Sequence, residues 1–142
     1  MATKADFTEE EWKTMQKGVT AAGMLVSVSD PDFTDSFGEA GAVATYLAEQ
    51  QQNSGSALIR DLAHVHGTGF GLTASREKAE TETLDALRSA VATLQAKAAD
   101  ELAAYQELVI GVAKHVAGAK TGVKPGETDA ITKIKEALGA AQ

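Results

Sequence analysis

Ten apolar residues recur at helical spacing along one run of the chain, and this stripe constrains the fold more than any other feature. Leu84, Leu87, Val91, Leu94, Ala98, Leu102, Tyr105, Val109, Val112 and Val116 follow at intervals of 3-4-3-4-4-3-4-3-4. That spacing lines one face of an α-helix and does not fit the alternation of a strand. No Gly or Pro interrupts Ser75 to Ile110, and Ala, Leu, Glu, Lys, Gln and Arg fill most of the span, residues with little cost in a helix. The stripe steps irregularly between Ala98 and Leu102, where Asp100 is suited to cap a new helix. The run therefore divides into two predicted helices, about 76–98 and 101–119.

Local signals place four more. Thr8 with Glu11 three residues on forms a capping box, and Phe7 with Trp12 occupies the positions of a hydrophobic staple. Glu9, Glu10 and Glu11 complement the dipole of the helix they open, which carries Trp12, Met15, Val19, Ala22 and Val26 over about 9–28. A second helix starts near Asp35 or Ser36 and buries Phe37, Ala40, Val43 and Leu47. It ends in the polar run from Glu49 to Gly55. Ser56 caps a short third helix with Leu58, Ile59, Leu62 and Val65 inward. Thr128 caps the last, with Ile131, Ile134 and Leu138. The expected fold is an all-α, single-domain bundle of about six helices spanning 1–142, with residues 1–6 disordered and loops at 67–74 and 120–127.

Trp12, Met15, Gly18 and Val19 are echoed at a constant offset by Tyr105, Leu108, Gly111 and Val112. Such an echo is what a degenerate duplication of a helical hairpin leaves, and Ala-rich amphipathic helices also produce it by chance. Gly18, Gly23 and Gly111 lie inside predicted helices, where each costs about 1 kcal/mol relative to Ala. Close approach by another helix explains them better than a hinge.

Composition excludes several functions. The chain has 142 residues, 44% hydrophobic and 5% aromatic, so its core is assembled from many small contacts. The formal net charge is −7, and the first 35 residues hold seven acids against three lysines. From Arg76 onward nine basic residues face ten acidic ones. No basic patch is present, which disfavours nucleic acid and anionic membranes as partners. With no cysteine, disulfides, thiolate metal sites and a cysteine nucleophile are out. The acidic N-terminus does not read as a secretory signal, and a cytoplasmic location is expected.

The opening Phe7-Thr8-Glu9-Glu10-Glu11-Trp12-Lys13-Thr14 and the closing Ala137-Leu138-Gly139 resemble the two ends of a set of small, uncharacterised bacterial all-helical proteins. That resemblance implies a helical fold and carries no catalytic residue. A second likeness is to the tellurite-resistance TerB type of helical domain, which pairs helical hairpins and has an acidic loop after a first long helix. Here the loop reads Ser29-Asp30-Pro31-Asp32-Phe33-Thr34-Asp35 in place of an Ala-Asp-Gly followed by spaced acids. The likeness implies a stress-response protein binding a metal ion at that loop.

Two groups of residues are metal candidates. Asp30, Asp32 and Asp35, with Glu39 nearby, present the oxygens that a hard cation takes. An EF-hand would need Gly at Asp35 and Glu at Gly41, so the plainer reading is a solvated turn about Pro31 and a helix cap at Asp35. Asp61 and His64 share a helix face, with His66 close by. A di-iron bundle would require a second acid-x-x-His and two further glutamates, so a surface hydrogen bond is the plainer reading here. The Gly67–Gly71 segment follows a helix, lacks Gly-Lys-Ser/Thr, and reads as a connector. No linear motif calls for a cofactor. The expected function is non-catalytic, through self-association as a homo-oligomer or through a protein partner. The alternatives are the TerB-like metal protein and an enzyme built on Asp61, His64 and His66.

Overall fold

The first helix is set by its cap. Thr8 N–H donates to Glu11 Oε1 at 2.8 Å, and Glu11 N–H donates to Thr8 Oγ1 at 3.1 Å. Both halves of the capping box are made, and α1 runs Glu9–Val28. The Phe7 and Trp12 rings pack at 6.2 Å between centroids, with Lys4 over Trp12 and Lys97 over Phe7. Residues 4–6, expected to be disordered, form a single 3-10 turn, because Asp6 folds back to accept from Thr3 N–H at 2.8 Å.

The computed structural model describes residues 3–28, 36–64, 76–117 and 125–139. After α1 come α2 (Ser36–Asn53), α3 (Ala57–Leu62), α4 (Arg76–Lys97), α5 (Leu102–Ala117) and α6 (Pro125–Leu138). The described residues hold six α-helices and no strand, an all-α bundle in one domain. None of the helices is long and apolar enough to cross a membrane.

Helix α1 is the hub. It packs chiefly on α4 and α5, while α6 lies across α4, α5 and α1. Lys97 pairs with Glu11 near one end of α1, and Thr83 donates to Ala21 O further along, so α1 and α4 run antiparallel. The α2 helix rests mainly on α5, with α3 beside it. The core gathers Met15, Val19 and Leu25 of α1, Leu87 and Leu94 of α4, and Leu108 of α5, each at most 2% exposed. Leu58, Ile59 and Leu62 of α3 join it. Every member of the opening stripe is buried or half-buried.

The long run does divide, by a different device from the one expected. Asp100 caps nothing. Helix α4 stops at Lys97, Ala98 leaves helical geometry at φ −153° and ψ 57°, and Ala99–Glu101 makes one 3-10 turn before α5. Ala98 O accepts from Glu101 N–H at 2.8 Å, and no side chain caps the turn. The last helix also begins earlier than expected. Pro125 is its first residue, a position where the missing N–H costs nothing, so 125–127 belong to α6 and Thr128 lies within its first turn.

Candidate functional site

Asp61 and His64 are both exposed. They meet only through the backbone, His64 N–H donating to Asp61 O at 3.1 Å. Gln16 Nε2 reaches His64 O at 3.5 Å. Side chains held by no second contact are not pre-organised for metal or proton transfer. Among the described residues no three His, Cys, Asp or Glu side chains cluster as a metal site would require. Asp30, Asp32, Asp35 and His66 lie outside the described residues, as do the Gly67–Gly71 segment and Val65.

The polar chemistry that the fold does organise lies elsewhere. The chain has two tyrosines, and each is seated on a glycine inside a helix. Tyr105 of α5 lies against Gly18 of α1, and its hydroxyl donates to Met15 O at 2.8 Å. A Cβ at Gly18 would fall on that hydroxyl and stand 3.0 Å from Leu87 Cδ2. Burial pushes the Tyr105 phenol well above its ordinary pKa, so it keeps its proton and remains a donor. Tyr46 of α2 lies against Gly111 of α5, where a Cβ would run into its ring. Its hydroxyl makes a long bond to Glu107 O at 3.5 Å. The close approach expected at these glycines is present, and a tyrosine ring makes it rather than a whole helix.

Tyr46 also packs on His115, with ring centroids 4.3 Å apart. His115 Nδ1 stands 2.7 Å from Gly111 O. A carbonyl only accepts, so Nδ1 carries the hydrogen and Nε2 is the basic nitrogen of the neutral ring. Burial raises the Tyr46 pKa first, and the charges of Glu107 and Glu49 add to it. The phenol is therefore a poor source of phenolate.

Two glycines at equivalent places in the internal echo, Gly18 and Gly111, thus solve the same packing problem. The rings come from different helices, α5 in one case and α2 in the other. Trp12, the counterpart of Tyr105, packs on Phe7 instead of returning to Gly111. The echo marks a repeated local device without reciprocal exchange between the two segments.

Glu101 is only 8% exposed and is a polar member of a largely apolar interior. Its Oε2 accepts from Ser56 Oγ at 2.6 Å. Ser56 Oγ in turn accepts from Ile59 N–H at 3.2 Å as the cap of α3, the role its sequence position predicts. The Ser56 hydroxyl is engaged as donor and acceptor at once, which suits a clasp between α3 and the α4–α5 joint. The sequence left Glu101 and Tyr46 unremarked, although the unexplained glycine at 111 pointed to a partner for it. No model of a known protein family, no curated protein and no solved structure matches the chain.

Proposed function

We propose that this chain is a non-catalytic cytoplasmic protein that acts by self-association or by binding a protein partner. The observation behind this reading is how the fold uses its reactive side chains. Tyr105, Thr83 and the Ser56–Glu101 pair each spend their hydrogen bonds on holding helices together. Asp61 and His64 stand in solvent without mutual side-chain contact. The excess of four negative charges in the first 35 residues suits a basic partner.

Light scattering on the eluting protein over a range of concentrations, with elemental analysis of each peak, tests this reading. The expected result is a concentration-dependent mass and less than one equivalent of zinc, iron or manganese. A full equivalent lost on mutating Asp61 and His64 overturns the reading in favour of an enzyme. A full equivalent of calcium or magnesium lost on mutating Asp30, Asp32 and Asp35 overturns it in favour of a TerB-like metal protein.

A further inference from the structure

The joint between α4 and α5 is built from residues that favour the helix it interrupts. Lys97-Ala98-Ala99-Asp100-Glu101-Leu102-Ala103-Ala104 contains no Gly and no Pro, and four of its eight residues are Ala, the best helix former. Breaks of this kind usually carry a glycine, a proline or a capping side chain. Here Ala98 alone leaves the helical region, and no side chain caps the turn. The apolar stripe also stays in phase through the break. Leu94, Ala98, Leu102 and Tyr105 would line one face if the two helices were continuous.

Straightening the joint would pair the terminal carbonyls of α4 with the first amides of α5, groups that lose helical partners at a break. The product is one helix over 76–117, roughly 60 Å long, far too long to keep α5 against α1 of its own chain. The contacts that hold the bent form are specific. Glu101, within the turn, is clasped by Ser56, and α5 and α6 are docked on α1 and α4 through Tyr105–Met15 and Lys133–Glu80. The Tyr105–Met15 and Lys133–Glu80 contacts are remade if α5 and α6 dock on a second copy, whereas the Ser56–Glu101 clasp belongs to the bent turn. Exchange of an identical element is a low-cost route to a dimer, and short joints invite it.

We propose that the Ala98–Glu101 joint is a hinge through which two copies of this chain exchange their α5–α6 arms. The exchange is one form of the self-association proposed above and rests on that reading. Ser56 holds the hinge bent, so the balance between bent and straight forms is set by a single clasp.

The test follows dimer formation after refolding at high protein concentration, by light scattering, in three proteins. Wild type is expected to form a dimer. Ser56→Ala is expected to raise the dimer fraction several-fold, because the clasp on Glu101 is gone. Ala99→Pro is expected to stay monomeric with unchanged circular dichroism. Proline suits the first residue of the turn and breaks a helix interior. In the cysteine-free background, Glu80→Cys with Lys133→Cys marks the two sides of the hinge. A short bis-maleimide is expected to join them within one chain in the monomer and between chains in the dimer. A wild-type dimer that Ala99→Pro leaves intact, or whose cross-links stay within one chain, overturns the hinge while self-association stands. If wild type and Ser56→Ala are both monomeric at every concentration, hinge and self-association fall together.

Discussion

Gly18 and Tyr105 form a lock whose two halves can be tested against each other. Gly18→Ala removes a helix-interior glycine, which by itself gains about 1 kcal/mol. The new methyl falls on the Tyr105 hydroxyl, and Tyr105 is fully buried. Overpacking of this kind costs about 1–3 kcal/mol. Displacing the hydroxyl from Met15 O leaves a buried donor unpaired, for another 1–3 kcal/mol or about that. The net expectation is a loss centred on about 3 kcal/mol, a large part of the stability of a small domain. Tyr105→Phe alone should cost about 1 kcal/mol, since it deletes one buried hydrogen bond without leaving its donor behind. In the Phe background the methyl meets ring carbon Cζ at an ordinary 3.7 Å, and only Leu87 Cδ2 at 3.0 Å has to give. Gly18→Ala should then lie within about 1 kcal/mol of neutral, a coupling of about 2–3 kcal/mol between the two sites. Urea midpoints at constant slope for the four proteins measure it. If Gly18→Ala costs the same with Tyr as with Phe at 105, the tyrosine is not what makes glycine necessary.

Gly111→Ala should be milder, within about 1 kcal/mol of wild type, because the half-exposed Tyr46 ring can swing aside while the helix gains propensity; a loss matching that at Gly18 would show that Tyr46 is pinned. Thr8→Ala should cost about 1 kcal/mol and Trp12→Ala about 3–5 kcal/mol, read as shifts in denaturant midpoint, and a neutral Trp12→Ala would mean that α1 is not docked through its staple. Glu11 has its pKa lowered by Lys97 first and then by the Thr8 amide. Its stabilising contribution is present above the ordinary glutamate value and is lost as pH falls through the lowered one. Wild type should therefore lose more stability on acidification than Glu11→Gln, and parallel pH curves would remove the Lys97 pair from the account. Duplex DNA should show no binding in a titration at about 0.15 M salt, since no cluster of Lys or Arg is present in the sequence to release its counterions; tight binding would mean that the fold gathers scattered basic residues into a patch.

The parts of this fold that are legible in the sequence are those set by neighbours in the chain. The bounds of α1, its capping box, the Ser56 cap and the inward face of the stripe all depend on residues within one or two turns, and all are present. Thr128 was the wrong start for α6 because two helix openings competed over four residues and Pro125 prevails. Asp100 was the wrong agent of the central break because the break is stabilised from outside the run, by Ser56 from 45 residues away. The seats of the two tyrosines escaped for the same reason. A glycine inside a helix announces that something comes close, but which ring arrives depends on the packing of helices 61 and 90 residues distant. Of the residues read as metal candidates, Asp61 lies in α3 but His64 falls beyond the Ala63 C-cap, so the helix face that their spacing implies ends before His64 is reached.

The place of α1 at the centre of the bundle has a consequence for how the chain is made. Its partners across the core leave the ribosome long after it: Glu11 waits for Lys97, 86 residues later, and Met15 waits for Tyr105, 90 residues later. During synthesis the face carrying Trp12, Met15, Val19 and Leu25 is exposed until most of the chain has emerged. Helices form within microseconds, whereas translation adds about 5–20 residues each second, so that face stays bare for seconds. The nascent chain therefore presents the kind of apolar helix surface that chaperones shield, and truncation anywhere before α5 is expected to yield an aggregating fragment rather than a smaller folded unit, as a pelleting assay on such fragments would show.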